Sequence, residues 1–174
     1  MFQTTLCQPL ALELFCEEQV LLGNKITERF NSNVLHFDAT GSVVATNAEY
    51  ARVFLYSIVM PVPIKGEPAL PVFEWLSDVH NAVFITKRLD SWLRTVKDIF
   101  PKPHVIVTDA SWALLHATTE AFNRTSLLDQ INIQWDVMNG QHKQTTILRL
   151  CCSHYLHAIA RKLTKTNVSK KVIY

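Results

Sequence analysis

Hydrophobic positions recur with two different periods along this chain, which predicts a mixture of strands and helices. Residues 34–37 and 51–60 are rich in Val, Phe, Tyr and Ile, and the turn-forming residues between them leave room for one more short strand, so we expect an antiparallel meander. A proline-rich loop follows at residues 60–71. From Asn81 to Phe100, apolar residues recur at helical intervals until Pro101 stops the pattern.

The second half of the chain predicts strand and helix in alternation. The predicted elements are a strand at residues 105–107, a helix at 111–122, a strand at 145–152 and a helix at 154–163. Residues 124–144 are compatible with a strand or with an inserted hairpin, followed by a turn, and both alternatives stay open. A meander followed by alternating strand and helix indicates an α/β fold, with helices on the faces of a mixed sheet.

One more helix is expected before the sheet. Residues 10–30 have the spacing of an amphipathic helix, so we expect an N-terminal helical segment at residues 1–32 that packs on a core at residues 33–174. A length of 174 residues suits one domain of this kind.

Composition excludes several classes of protein. Hydrophobic residues make up 48% and charged residues 18%, with only 4 Gly and 7 Pro, which excludes disordered and collagen-like chains. The longest apolar stretch, residues 53–62, is half the length that a membrane span needs. The start of the chain lacks the basic region of a secretory signal, and the 4 cysteines form two distant groups without a repeated spacing. We therefore expect an intracellular protein with reduced thiols and no membrane contact.

Charge is distributed unevenly along the chain. Residues 1–136 contain ten basic and fifteen acidic residues, a net charge of −5, whereas residues 137–174 contain seven basic and no acidic residues, a net charge of +7. A basic end suits a polyanionic partner, although a solvated terminal helix explains the pattern about as well. The candidates for contacts to DNA phosphates are Arg161, Lys162, Lys165, Lys170 and Lys171.

Two aspartates close apolar strands and open turns. Asp38 follows Val34–Phe37, and Asp109 follows the strand at residues 105–107. If these strands are neighbours, the two carboxylates lie within a few ångströms of each other. Two negative charges at so short a distance repel, and a shared cation such as Mg²⁺ or Mn²⁺ would stabilise them. Both aspartates could instead be turn formers or helix N-caps.

A second cluster contains thiols and imidazoles within seven residues. Cys151 and His154 have Cys-x-x-His spacing and could supply two ligands to zinc, but a structural zinc site needs four. Cys7 and Cys16 could complete the set only if the N-terminal segment folds against this one. A buried strand cysteine and a hydrogen-bonded histidine explain the cluster without a metal.

Taken together, five segments resemble the transposase domain of eukaryotic Mutator-like elements, a DDE-type transposase with a ribonuclease-H-like fold. The segments are HFDATGSV, YSIVMP, ITKRLDSWL, VTDASWALLHA and LRLCCSHYLHAIARKL. The resemblance implies metal-dependent cleavage and transfer of DNA strands with two Mg²⁺ or Mn²⁺ ions, a nuclear location, and a protein that could form a homo-oligomer. It maps the first two catalytic acids onto Asp38 and Asp109, and the Cys-x-x-His motif of the family onto Cys151 and His154.

The chain departs from that family at the third acid. The third carboxylate of the family lies on a helix after the Cys-x-x-His motif, whereas this sequence has no Asp or Glu after Asp136, so we expect the core to be incomplete at its C-terminus. One alternative is a non-catalytic DNA-binding or assembly module derived from a transposase. Another is a ribonuclease-H-like nuclease of a different lineage, with Glu74, Asp78 or Glu120 as the third carboxylate.

Overall fold

A computed structural model of the chain describes residues 2–7, 9–41, 52–141 and 145–165. It contains seven strands and five helices within these residues. In chain order they are β1 (Phe2–Cys7), β2 (Leu10–Phe15), α1 (Glu17–Phe30), β3 (Val34–Gly41), β4 (Phe54–Met60), β5 (Leu70–Ser77), α2 (Ala82–Val96), β6 (Val105–Thr108), α3 (Trp112–Asn123), α4 (Leu127–Met138), β7 (Ile147–Leu150) and α5 (Cys152–Lys165).

All seven strands belong to one mixed sheet with the order β1-β2-β5-β4-β3-β6-β7. Strands β3, β4 and β5 form an antiparallel meander, whereas β6 pairs parallel with β3, and β7 pairs parallel with β6. The hairpin of β1 and β2 extends the sheet beyond β5. The expected α/β fold, a mixed sheet flanked by helices, is therefore confirmed.

The hydrophobic core lies on one face of the sheet. Alternate strand residues such as Phe37, Tyr56 and Trp75 are fully buried, and they join buried side chains of α1, α2 and α3 in a single cluster. The Tyr56 and Trp75 rings stack 4.5 Å apart, and Phe73 stacks on Trp92 of α2 at 5.4 Å. The opposite face, which carries Asp38, remains half-exposed.

Helix α2 begins where the spacing predicts but ends four residues before the expected end at Phe100. The side chain of Asn81, at the N-cap, accepts a hydrogen bond from the Phe84 amide at 2.9 Å. The helix ends at Val96, and a turn leads from there to Pro101. One face of the helix, including Ile85 and Trp92, is buried against the sheet.

The prediction of a single helix over residues 10–30 is wrong. Residues Leu10–Phe15 form strand β2, and α1 starts only at Glu17. Because Ala11 and Glu13 alternate with half-exposed leucines, this stretch also satisfies the period of a strand, and pairing with both β1 and β5 decides in favour of that structure. Residues 2–7 and 10–15 therefore extend the sheet of the core, and only α1 packs on the core as the expected helix.

Two further elements differ from the expectation. The segment left open at residues 124–144 contains α4, whose N-cap Ser126 accepts a hydrogen bond from the Asp129 amide at 3.1 Å. The third strand of the meander is β5, which begins inside the expected proline-rich loop. The short strand expected between residues 42 and 50 lies outside the described residues.

Candidate functional site

The parallel pairing of β3 with β6 places the two predicted aspartates next to each other. Phe37 is in register with Thr108, and both of these side chains are buried, so Asp38 and Asp109 follow them side by side. Asp109 follows the end of β6, but Asp38 lies inside β3, which continues to Gly41, so the expectation that Asp38 closes its strand is wrong. Neighbouring strands lie about 5 Å apart. The structure therefore brings together the two residues that sequence reasoning selected.

Backbone amides hold both carboxylates. Asp38 Oδ1 accepts from the Ala39 amide at 2.9 Å, and Asp109 Oδ1 accepts from the Ser111 amide at 2.9 Å. Ser111 is the N-cap of α3, so the turn after β6 fixes Asp109 at the start of that helix. The side chain of Asp38 is 45% exposed, which leaves its second oxygen accessible to a ligand.

The Cys-x-x-His motif lies beside Asp38. The Cys151 amide donates to the Thr108 carbonyl at 2.7 Å, and the Tyr155 amide donates to the Cys151 carbonyl at 3.1 Å, so α5 begins at the same edge of the sheet. His154, in the first turn of α5, has its Nε2 4.0 Å from Asp38 Oδ2. Its Nδ1 is buried and has no hydrogen-bond partner among the described residues.

Sequence reasoning missed a histidine that connects two loops at this edge. The Tyr56 hydroxyl donates to the Val79 carbonyl at 2.9 Å and lies 2.8 Å from His80 Nδ1, while His80 Nε2 lies 3.1 Å from Ser111 Oγ. Because the hydroxyl has a single proton, Nδ1 is the donor to it, and Nε2 of a neutral ring accepts from Ser111. The His80 ring therefore links the turn before α2 to the N-cap of α3, Ser111, whose amide donates to Asp109.

Chemistry at the aspartate pair suits a hard divalent cation. Carboxylate oxygens are the ligands that Mg²⁺ and Mn²⁺ prefer, and the amide contacts given above involve only Oδ1 of Asp38 and Asp109. The residues present therefore fit such an ion. Within the described part of the chain, however, no three or more His, Cys, Asp or Glu side chains form a group that could hold a metal.

The three candidate third carboxylates lie in different places. Glu74 is in a cross-strand row with Ser57 and Asp38, two strand spacings from Asp38, or roughly 10 Å, and accepts from Ser57 Oγ at 2.8 Å. Asp78 follows β5, and its Oδ1 is buried without a hydrogen-bond partner among the described residues. Glu120 is eight residues past the start of α3, about 12 Å along the helix axis.

The four cysteine and histidine residues weighed for zinc do not come together. Cys16 directly follows β2, which is five strand spacings from β7, a distance of roughly 24 Å from the strand that leads into Cys151. Cys7 lies on β1, one strand farther. The Cys16 thiol instead donates to the Glu18 carboxylate, which lowers the pKa of that carboxyl group. Cys151 and His154 therefore have no zinc partners in the N-terminal segment.

The basic candidates lie along the last helix. Arg161 and Lys162 are exposed on α5, and Lys165 is the last residue of that helix. Lys170 and Lys171 lie outside the described residues. The Cys-x-x-His motif thus connects the aspartate pair to a helix with basic side chains.

Comparison with known proteins gives no identification. No protein-family model matches the chain, and no curated protein matches it significantly. Among the described residues, no helix has both the length and the apolar character that crossing a membrane requires.

Proposed function

We propose that this chain is the core of a DDE-type transposase with a ribonuclease-H-like fold, which acts on DNA by metal-dependent phosphoryl transfer. The observation that carries the proposal is the register of β3 with β6, which places Asp38 beside Asp109. Asp109 makes a turn contact with the Ser111 amide, but Asp38 lies inside β3, where neither a turn nor a helix start accounts for a carboxylate. The Cys-x-x-His motif is also part of the sequence resemblance, and its His154 lies near Asp38.

The order of the strands supports the finer assignment of the fold. Counted from β3, Asp38 lies on the first strand and Asp109 follows the fourth, the two strands that the resemblance to Mutator-like transposases assigns to the first two acids. An antiparallel meander precedes the two parallel strands, and α2 connects the two parts. The β1-β2 hairpin is an addition at the far edge.

In this proposal each residue has a defined task. Asp38 and Asp109 would hold Mg²⁺ or Mn²⁺, which supplies Lewis-acid stabilisation and a more acidic bound water for in-line attack on a phosphodiester. The amides of Ala39 and Ser111 hold the carboxylates in place. His154 flanks Asp38 and limits the orientations of its free oxygen.

Titration with Mn²⁺ by calorimetry tests the metal site. We expect binding to the parent chain and loss of that binding in both Asp38→Asn and Asp109→Asn, because each variant removes an anionic ligand while keeping a similar shape. Glu67→Gln is the matched control, since it removes one exposed carboxylate in the loop between β4 and β5. A parent chain that binds no Mn²⁺, or variants that bind as the parent does, would contradict the proposal.

A second candidate is a non-catalytic DNA-binding module derived from such an enzyme. Two observations favour it: the described residues contain no metal-binding group of three, and α5 carries exposed Arg161 and Lys162 and no acidic residue. Fluorescence anisotropy with a labelled duplex, combined with a nicking assay in Mn²⁺, separates the two candidates. Salt-dependent binding without nicking favours the module, whereas nicking that is lost in Asp109→Asn favours the enzyme.

A further inference from the structure

The side chain of Ser111 does not cap its own helix. A serine at an N-cap ordinarily accepts a hydrogen bond from an amide of the first turn, and Asn81 and Ser126, the N-caps of α2 and α4, do accept one. Ser111, the N-cap of α3, makes no such contact, and its Oγ lies 3.1 Å from His80 Nε2 instead. The hydroxyl at the start of α3 is therefore used for a contact with another loop.

Strand β4 fixes the His80 ring through two aromatic side chains. The Phe54 ring stacks on the imidazole with the centroids 4.8 Å apart, and the Tyr56 hydroxyl lies 2.8 Å from Nδ1. Tyr56 is fully buried, and its hydroxyl donates to the Val79 carbonyl at 2.9 Å. Because both rings belong to β4, the sheet sets the position of the imidazole although His80 is exposed.

Ser111 is held at three points, and one of them is the carboxylate of Asp109. Its amide donates to Asp109 Oδ1 at 2.9 Å, its carbonyl accepts from the Leu115 amide at 2.9 Å, and its hydroxyl donates to His80. The first contact lies within the turn, and the second belongs to α3 itself. Of the three, only the hydroxyl contact connects the turn to a different part of the fold, so His80 determines how firmly the Ser111 amide is aimed at Asp109.

We propose that His80 is a positioning residue for Asp109. It fixes the turn at residues 109–111, so that Oδ1 of the aspartate stays on the Ser111 amide and Oδ2 is left for a cation. The inference rests on the proposed function, because it gives His80 a task at the same metal site. His80 acts through Ser111 and does not contact the ion. Outer-shell partners of this kind orient a ligand and increase the affinity for the metal.

Calorimetric titration of the full chain with Mn²⁺ tests this role. We expect His80→Ala to bind the ion about tenfold more weakly than the parent, the lower limit of what the loss of an outer-shell partner costs a metal site. His80→Gln should regain most of the affinity, because its amide carries an acceptor for Ser111 and a donor for Tyr56. His116→Ala is the matched control, since it removes an exposed histidine of α3 whose ring contact is with Trp112.

A double variant shows whether His80 acts through the serine. Ser111→Ala removes the hydroxyl without removing a helix cap, so we expect it to weaken Mn²⁺ binding as much as His80→Ala does. Because both substitutions break the same contact, the double variant should lose no more affinity than either single variant. Losses that multiply in the double variant, or a His80→Gln chain that binds as weakly as His80→Ala, overturn the proposal.

Amide hydrogen exchange without metal separates a failure of this inference from a failure of the metal site. We expect the Ser111 amide to exchange about tenfold faster in His80→Ala, because the turn opens more easily, while the Asp129 amide, held by Ser126 in α4, keeps its rate. A parent chain that binds no Mn²⁺ overturns the proposed function, and the exchange rates then decide whether His80 holds the turn. Equal Ser111 exchange rates in the parent and in His80→Ala overturn the inference. So does an unchanged Mn²⁺ affinity in His80→Ala when the parent binds the ion.

Discussion

Gly23 lies in the middle of α1 at a close approach to the core. A Cβ atom at this position would come 2.9 Å from Phe100 Cε2 and 3.4 Å from Val72 Cγ1. Alanine is the better helix former by about 1 kcal/mol, but overpacking a buried aromatic ring costs about 1–3 kcal/mol. We expect Gly23→Ala to lower the free energy of unfolding by about 1 kcal/mol, measured by urea denaturation.

Replacing Phe100 by the smaller leucine supplies the control for this prediction. In a Phe100→Leu background, the same Gly23→Ala change should be neutral or stabilising, because the ring that would clash is gone. A Gly23→Ala variant that is more stable than the parent would show that Phe100 moves aside at little cost.

The buried hydroxyl of Tyr56 makes the free energy of unfolding depend on pH in the alkaline range. Burial raises the pKa of its hydroxyl above the ordinary value of about 10. Below that value both folded and unfolded chains keep the proton; as the pH rises above about 10, the unfolded chain loses it first, so the free energy of unfolding falls, by at most about 1.4 kcal/mol per pH unit. We expect Tyr56→Phe to weaken this fall between pH 9.5 and 11.5, roughly the range above the ordinary tyrosine pKa.

The same variant should be less stable near neutral pH. Tyr56→Phe leaves the Val79 carbonyl without its hydroxyl donor and His80 without an acceptor, which costs about 1–2 kcal/mol. Urea denaturation from pH 7 to pH 11 measures both effects, and Tyr155→Phe, at an exposed tyrosine, is the control. Parallel pH profiles for parent and Tyr56→Phe would contradict the argument.

Part of the candidate site could be predicted from local sequence patterns, and the rest depends on contacts between residues that are distant in the sequence. Asp38 and Asp109 could be predicted because each directly follows a short apolar run, a signal contained within a few residues. The role of His80 depends on Ser111, 31 residues away, and no local pattern marks it. The separation of Cys16 from Cys151 likewise depends on the order of the strands, which places Cys16 near the opposite edge of the sheet.

At the scale of elements, buried polar side chains dock α4 on the edge of the sheet. Gln130 is 1% exposed; it donates to the Thr146 carbonyl at 3.0 Å and accepts from Asn123 Nδ2 at 2.8 Å. Gln134, one turn later, accepts from the amide of Leu148 on β7. These contacts explain how a helix with so many exposed apolar residues is held in place.

Replacement of Gln130 tests this docking. We expect Gln130→Leu to lower the free energy of unfolding by about 1–2 kcal/mol, because Asn123 Nδ2 and the Thr146 carbonyl each lose one buried partner and keep only the hydrogen bond to each other. Asn132→Ala, at an exposed position one half-turn away, should stay within about 0.5 kcal/mol of the parent. Denaturation curves of the two variants measure the difference, and similar curves would mean that packing alone holds α4.

Elements with one strong period were predictable, and those that satisfy two periods were not. Helix α2 has both a helical spacing and an Asn81 cap, so its position follows from local sequence. Residues 10–15 and α4 each combine leucine or isoleucine with polar residues in a way that suits strand and helix alike. Contacts with β1, β5 and β7 decide between them, and such contacts are not visible in a local pattern.

At the scale of the whole molecule, helix α5 connects the aspartate pair to a group of basic residues. His154 places the start of α5 at Asp38, and Arg161 and Lys162 follow about two turns later in the helix. The loop between β4 and β5, which contains the exposed Lys65, begins after Met60, three residues or roughly 10 Å along β4 from Ser57, the partner of Asp38. Because α5 begins beside Asp38 itself, we expect a DNA duplex bound at the aspartates to contact α5 more closely than Lys65.

This geometry predicts how DNA binding depends on salt. Each phosphate contact contributes about 0.9 to the slope of log K against log salt concentration, so the double variant Arg161→Ser with Lys162→Ser should reduce that slope by about 2. Lys65→Ser removes a positive charge outside α5 and should change the slope less. Fluorescence anisotropy with a labelled duplex between about 50 and 200 mM salt, where phosphate contacts dominate affinity, measures the slope for each chain. Equal losses in the Lys65 and α5 variants would show that net charge alone attracts DNA, and that α5 contributes no specific phosphate contacts.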